Sequence, residues 1–278
     1  MDLIHRIEAL RQRLADSGQV VFVPTMGNLH AGHGRLVRDA RAYGATVVTS
    51  IFVNPLQFGP QEDFAAYPRT LEADCEQLRA AQCDVVFAPS VAEMYPVPPQ
   101  IEILAPPIAN DLCGAFRPKH FQGVATVVTK LFNIVQPAVA LFGKKDYQQL
   151  FVIRALVQQL NFPIQIVAAE TTRAVDGLAL SSRNIYLSEW ERQEAPRLHS
   201  VLQSLAAQLR AGRRDVLDLE QAACSTLQAP HWRVDYITVR DADTLLTPVD
   251  TTQNFVVLGA AWLGKTRLID NVEVCNVL

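Results

Sequence analysis

The chain has 278 residues, of which 49% are hydrophobic and 19% are charged, and its net charge is −3. Length and composition indicate a globular protein of one or two domains and argue against a disordered chain. Lysine and arginine are scattered and form no basic run, so the sequence predicts no nucleic-acid-binding surface.

No apolar run approaches the roughly 18 to 20 residues needed to cross a bilayer, so no membrane span is predicted. The five cysteines are far apart and lack the spacing of a zinc site. They favour free thiols in a reducing compartment. We therefore expect a cytoplasmic protein without a membrane or nucleic-acid partner.

The first part of the chain alternates predicted strands with predicted helices. Near the N-terminus, Leu3, Ile7, Leu10 and Leu14 fall on one helical face. Short β-branched or apolar runs predict strands at 20–23, 46–53, 84–88, 138–142 and 164–167. Helices are predicted at 35–43, 71–82 and 124–135, the first of them ended by Gly44 as a left-handed stop. This alternation predicts an α/β fold, a Rossmann-like parallel sheet with helices on both faces.

From about residue 171 the pattern changes. Ser188 and Glu191 have the spacing of a capping box, which predicts a helix that runs to about residue 212. A second helix is predicted at 216–227, followed by strands at 234–239, 255–261 and 266–269. The sequence thus predicts two domains, a Rossmann-like domain at 1–171 and a smaller C-terminal α+β domain at 172–278.

The loop after the first of these strands holds the strongest candidate site. Gly27 and Gly32 lack side chains, so a bulky ligand can approach the backbone closely. The loop leads into a helix N-terminus, which favours an anion such as phosphate. His30 and His33 are three residues apart and could direct N–H donors at one phosphate. The alternative is a pair of surface histidines beside a helix start.

Two further strand exits carry polar side chains, and parallel sheets bind ligands at this edge. Asn54 and Gln57 offer amides suited to a ligand with hydroxyl and carboxylate groups, or else form a plain turn. The exit after 138–142 carries a glycine and two lysines at a helix start, a candidate phosphate site. Its residues are Gly143, Lys144, Lys145 and Asp146, with Gln149 on the same helical face as Asp146.

The junction between the predicted domains holds a third polar cluster. Arg183 presents a planar fork of donors that suits phosphate oxygens, and Ser181 and Ser182 add hydroxyl groups. A polar linker that caps the next helix is the alternative. Ser188 already fills that capping position, which weakens the alternative.

Taken together, these segments resemble the pantothenate synthetase family. The pattern His30-x-Gly32-His33 resembles the signature of the nucleotidyltransferase superfamily that includes class I aminoacyl-tRNA synthetases. Longer strings match the family itself at 24–33 (PTMGNLHAGH), 51–59 (IFVNPLQFG), 118–124 (PKHFQGV), 143–149 (GKKDYQQ) and 181–184 (SSRN). Lys144 stands where many members have Glu.

The resemblance implies an AMP-forming ligase that uses ATP and Mg²⁺ to condense (R)-pantoate with β-alanine through pantoyl adenylate. It implies catalytic roles for His30, His33 and Lys145, and pantoate contacts from Gln57 and Gln149, with Asn54 beside them. The ATP contacts that it implies are Met26, Gly27, His30, His33, Gly143, Lys144, Lys145, Asp146, Thr172, Leu180, Ser181, Ser182 and Arg183.

Further expectations follow from the same resemblance. The C-terminal domain would close over the ATP site, the 58–70 loop could act as a lid, and two copies would form a homodimer. No dedicated metal site is expected, although Asp74 could lie near Mg²⁺. His120 would line the pantoate pocket or serve the fold.

Two alternative functions stay open. Another small-molecule adenylyltransferase of the same superfamily would need the histidine signature but not the amides of Asn54 and Gln57. An ATP-binding regulator without chemistry would need no pocket for an acid.

Overall fold

The structure, a computed structural model, describes residues 1–60, 62 and 64–275. The chain divides into two compact units, Met1–Lys144 with Gln148–Glu170 and Lys145–Tyr147 with Thr171–Leu278. No helix in the described ranges is long and apolar enough to cross a membrane.

The first unit is built on a six-stranded sheet in which every paired strand is parallel. Its strands are β1 (Asp2–Ile4), β2 (Val20–Thr25), β3 (Thr46–Ile51), β4 (Val85–Phe87), β5 (Val139–Gly143) and β6 (Gln165–Ala169). The order across the sheet is β1-β4-β3-β2-β5-β6. The strand order reverses between β2 and β5, which is where sheets of this kind bind ligands.

Helices connect these strands. They are α1 (Ile7–Leu14), α2 (Ala31–Ala40), α3 (Leu71–Ala80), α4 (Val91–Met94), α5 (Cys113–Phe116), α6 (His120–Val135) and α7 (Tyr147–Gln159). Successive residues of β2 face opposite sides, so Phe22 packs into one apolar cluster while Val21 and Val23 pack into another. Burial on both faces explains why the strand is a continuous apolar run in the sequence.

The second unit joins three helices to a three-stranded antiparallel sheet in the order β7-β8-β9. The helices are α8 (Glu189–Glu194), α9 (Arg197–Arg210) and α10 (Val216–Leu227), and the strands are β7 (Trp232–Asp241), β8 (Phe255–Leu263) and β9 (Thr266–Val274). Its core contains Leu202 and Leu205 of α9 and Val257 of β8. The predicted parallel sheet with helices and the smaller C-terminal α+β fold are both confirmed.

Three local predictions were wrong. Leu3 lies in β1, which pairs with β4, and not on a helix. Gly44 has φ 178°, an extended conformation, and glycine is needed there because a Cβ would lie 2.7 Å from the Gln19 carbonyl oxygen. The helix that begins after Ser188 does not run unbroken to residue 212, since α8 ends at Glu194 and α9 begins after Pro196, which cannot donate to a helical carbonyl.

Candidate active site

The loop after β2 brings the two predicted histidines together at the start of α2. The His30 Nδ1 accepts from the Gly32 amide at 3.1 Å, and the His33 Nδ1 accepts from the His30 amide at 3.3 Å, a capping box made of two imidazoles. Because each Nδ1 accepts, each neutral ring carries its hydrogen on Nε2. The ring centroids are 4.0 Å apart, so the pair forms two neighbouring donors.

Asp74, in the first turn of α3, binds the backbone of this loop. Its side chain is 1% exposed, and its carboxylate accepts from the Asn28 amide at 3.0 Å and from the Leu29 amide at 2.8 Å. The Thr70 hydroxyl donates to the same carboxylate at 3.2 Å. Gly27 passes so close that a Cβ would lie 3.0 Å from an Asp74 oxygen, and its φ of +86° also favours glycine. Asp74 therefore determines where the segment before His30 lies.

The second exit forms a 3₁₀ turn, Pro55–Gln57, with Asn54 as its cap. Asn54 is 1% exposed and both ends of its amide have protein partners. Its Oδ1 accepts from the Leu56 amide at 3.3 Å, and its Nδ2 donates to Gln57 Oε1 and to the Gly123 carbonyl, each at 3.1 Å. Asn54 thus positions Gln57, and its predicted contact with a substrate stays a prediction.

Gln57 is also held through its backbone. The His120 Nδ1 lies 2.8 Å from the Gln57 carbonyl oxygen, and the Arg117 guanidinium lies 3.0 Å from His120 Nε2. A guanidinium can only donate, so Nε2 accepts and the Nδ1 hydrogen is donated to Gln57. Arg117 also forms a bidentate ion pair with Glu62, at 2.7 and 2.8 Å. His120 therefore serves to hold Gln57, and the contact chain extends to Glu62 in the predicted lid loop.

At the third strand exit, after β5, some polar residues are hydrogen-bonded within the fold and others remain candidates for ligand contacts. The Lys144 Nζ lies 2.6 Å from Glu170 Oε1. Gln148 is buried and is used by the fold, because its Oε1 accepts from the Cys113 amide at 3.0 Å and its Nε2 donates to the carbonyls of residues 108 and 111. Gln149, the predicted pantoate contact, is its half-buried neighbour. The arrangement is compatible with a ligand role for Gln149 and not for Gln148.

In the second unit, the predicted phosphate segment begins as a capped turn. Ser181 caps the 3₁₀ helix Ser182–Tyr186, and its Oγ accepts from the Arg183 amide at 3.3 Å. The Thr172 carbonyl accepts from the Leu180 amide at 3.0 Å, which joins both ends of the preceding hairpin. The Lys145 carbonyl, in the same unit, accepts from Asn271 Nδ2 at 3.0 Å.

A buried ion cluster supports this hairpin. Arg173 forms a bidentate ion pair with Asp270 at 2.6 and 2.8 Å and also donates to the Gly177 carbonyl at 3.1 Å. The His199 Nδ1 lies 2.9 Å from Asp270. Burial raises the pKa of Asp270, but hydrogen bonds from His199 and Arg173 and the charge of Arg173 outweigh it and hold that pKa below its ordinary range.

Sequence reasoning missed several of these supporting residues. Nothing in the local pattern singled out Arg117 or Tyr95, whose hydroxyl donates to Asn54 Oδ1 at 2.8 Å. Glu62 lies 55 residues from Arg117 and Asn54 lies 41 residues from Tyr95, so only the fold brings these pairs together. Among the described residues, no group of three or more His, Cys, Asp or Glu side chains could hold a metal ion.

Comparison with known proteins agrees over nearly the whole chain. A family model for pantoate–β-alanine ligase matches residues 2–273. The pantothenate synthetase of Thiobacillus denitrificans is 55% identical over 99% of this chain and 98% of its own. That of Chromobacterium violaceum is 58% identical over 99% of each chain.

Solved structures give the same result. The crystal structure of pantothenate synthetase from Thermus thermophilus matches with a TM-score of 0.94 at 45% identity, over 99% of this chain and 100% of that one. The pantoate–β-alanine ligase of Francisella tularensis, complexed with β,γ ATP and β-alanine, matches with a TM-score of 0.81 at 32% identity, over 98% and 97%. The chain belongs to the pantoate–β-alanine ligase family.

Proposed function

We propose that this protein is the ligase that condenses (R)-pantoate with β-alanine to pantothenate at the expense of ATP. The observation that carries the proposal is family membership over residues 2–273, together with a relative of the same fold complexed with β,γ ATP and β-alanine. The polar side chains at the carboxyl ends of β2 and β3 support it, because this edge of a parallel sheet is where ligands bind.

The reaction has two steps. A pantoate carboxylate oxygen attacks the α-phosphorus of ATP, the bond from that phosphorus to the bridging oxygen breaks, and pyrophosphate leaves. The amine of β-alanine then attacks the acyl carbon of pantoyl adenylate, the bond to AMP breaks, and the nitrogen loses a proton to give the amide. The protein acts mainly by alignment and by stabilising charge.

Each unit supplies its own groups. In the first unit, the Nε2 hydrogens of His30 and His33 are the donors for the phosphate oxygens as pyrophosphate leaves, and the Met26–Gly27 backbone admits the nucleotide. Gln57 and Gln149 bind pantoate, and β-alanine later reuses Gln57. In the second unit, Lys145, Ser181, Ser182 and Arg183 bind phosphates, and the backbone at Thr172 and Leu180 contacts adenine.

Magnesium is proposed to enter with ATP, held by phosphate oxygens. Bound there, it would neutralise part of the phosphate charge. Asp74 fits poorly as a ligand, because it is 1% exposed and its carboxylate already accepts three hydrogen bonds, from the Asn28 and Leu29 amides and the Thr70 hydroxyl. The protein side chains near the cation would be those that bind the same phosphates.

The test of the proposed function is the exchange of labelled pyrophosphate into ATP. Exchange should require pantoate and Mg²⁺ and should proceed without β-alanine, since the adenylate forms first. Addition of β-alanine should then release AMP and pantothenate. Exchange that appeared only with β-alanine would contradict the two-step scheme, and exchange supported by another acid but not by pantoate would favour a different adenylyltransferase.

We also propose a cytoplasmic homodimer. All five cysteines are free thiols, which suits a reducing compartment. The segment 96–105 exposes Val97, Ile101 and Leu104 by 70%, 86% and 87%, and a row of exposed apolar side chains is typical of a protein interface. Light scattering should give a mass near twice 30.8 kDa, and Ile101→Asp should shift it toward one copy. A monomeric parent protein would refute the dimer.

A further inference from the structure

A chain of hydrogen bonds from Tyr95 ends at the Gln57 side chain. The Tyr95 hydroxyl donates to Asn54 Oδ1 at 2.8 Å, and Asn54 Nδ2 donates to Gln57 Oε1 at 3.1 Å. The last link runs from Gln57 Nε2 to the sulfur of Met26 at 2.9 Å. Tyr95 lies 41 residues beyond Asn54 in the sequence, so the connection is made by the fold.

Backbone groups with a fixed hydrogen-bonding role allow the donor and acceptor atoms of this chain to be assigned. The Leu56 amide can only donate, and it faces Asn54 Oδ1; the Gly123 carbonyl can only accept, and it faces Asn54 Nδ2. These contacts identify which atom of the Asn54 amide is Oδ1 and which is Nδ2. Since its Nδ2 points at Gln57, the atom it meets there must be the acceptor Oε1. Gln57 accordingly directs its donor Nε2 away from Asn54.

Tyr95 is suited to anchor the chain. Burial raises the pKa of Tyr95 to about 12, so the hydroxyl keeps its hydrogen at neutral pH. Its ring packs against Phe52, with centroids 6.1 Å apart, and the Lys130 Nζ lies 5.4 Å from the ring centroid. Without the hydroxyl, Asn54 Oδ1 would keep the longer 3.3 Å bond from Leu56 and lose the shorter of its two donors.

We propose that Tyr95 is a positioning residue that, through Asn54, orients Gln57 as a hydrogen-bond donor toward an oxygen of the acid substrate. The assignment of that substrate rests on the proposed function. A donor at this position would favour an acid that presents a carboxylate or hydroxyl oxygen, and a flipped amide would present Oε1 instead.

The kinetic test is Tyr95→Phe, which removes one oxygen and keeps the ring. Loss of one neutral hydrogen bond in the chain should raise KM for pantoate about threefold to tenfold in pyrophosphate exchange, with KM for ATP changed less than about twofold. Tyr43→Phe, at a tyrosine that is 38% exposed after α2, is the matched control and should change neither. An equal rise in both KM values would indicate general loosening and overturn the proposal.

A double variant separates action through Gln57 from an independent effect. In a Gln57→Ala background, Tyr95→Phe should weaken pantoate binding no further, measured by calorimetry if exchange is too slow. Additive losses would refute the proposal.

A readout without substrate separates this inference from the proposed function. The side-chain NH₂ signals of Asn54 and Gln57, assigned by their loss in Asn54→Ala and Gln57→Ala, should both shift in Tyr95→Phe and neither in Tyr43→Phe. Unchanged signals would overturn the proposal even if pantoate is the substrate. Shifted signals would support the positioning role even if a different acid were used.

Discussion

Asp74→Asn should impair adenylate formation although Asp74 is buried and its carboxylate is hydrogen-bonded within the protein. The variant keeps the shape and one acceptor oxygen but turns an NH₂ group toward either the Asn28 or the Leu29 amide. One buried amide then meets a donor, which costs about 1 to 3 kcal/mol. The free energy of unfolding should fall by that amount, and relaxation of the loop should move His30.

The kinetic effect follows from geometry. A displacement of about 1 Å in a group that positions a substrate can cost about 100-fold in rate. We therefore expect pyrophosphate exchange to fall by about 10- to 100-fold, with a smaller change in KM for pantoate. Urea unfolding and exchange rates, measured on the same preparation, give both quantities.

Asp39→Asn is the matched control. Asp39 lies on α2, is 46% exposed and pairs with Arg35 at 3.4 Å, so its loss should cost at most about 1 kcal/mol and leave exchange intact. Exchange within about twofold of the parent in Asp74→Asn would refute the anchoring role. Recovery of the rate at high Mg²⁺ would instead identify Asp74 as a metal ligand.

Three further predictions concern the remaining charged and polar groups. His33→Ala should slow exchange by about 100- to 1,000-fold and also reduce the free energy of unfolding by about 1 kcal/mol, because His33 closes the capping box; normal exchange would exclude it from adenylylation. Arg183→Lys should raise KM for ATP about tenfold, since an ammonium cannot replace the guanidinium fork, while the melting temperature stays near that of the parent; a large fall in melting temperature with intact ATP use would favour the linker interpretation. Asp270 has a lowered pKa in the folded protein, so its stabilisation is present above the ordinary carboxyl value of about 4 and is lost as pH falls below it. Asp270→Asn should therefore be less stable at pH 7 and lose less on acidification than the parent in urea titrations; parallel pH profiles would contradict this.

Local sequence patterns predict those parts of the site whose residues are contiguous in the chain. β2 is a buried apolar run, and the glycine-rich turn after it leads directly into a helix, so strand, loop and helix N-terminus follow from about 20 residues of sequence. The capping box at Ser188 is similarly local, and the structure has it with both hydrogen bonds.

The parts that could not be predicted depend on distant partners. Asp74 binds amides that lie 45 and 46 residues earlier, and His120 binds a carbonyl 63 residues earlier. Such contacts exist only after the sheet has aligned its strand exits. The same is true of Gly44, whose requirement for glycine comes from the backbone of Gln19 on a neighbouring segment and not from its own φ.

In the capping box of two imidazoles, the histidines offer hydrogen bonds of fixed direction without offering positive charge. A proton added to either Nδ1 would set N–H against a backbone N–H, so the capping box needs both rings uncharged. Under the proposed function, positive charge toward the phosphates would come from Lys145 and Arg183 instead. A cationic replacement at position 33 would thus carry the desired charge and still break the cap. Glutamine accepts with one atom and donates with another, as the neutral ring does. His33→Gln should accordingly retain more exchange activity than His33→Lys, an order opposite to the one that phosphate charge alone would produce.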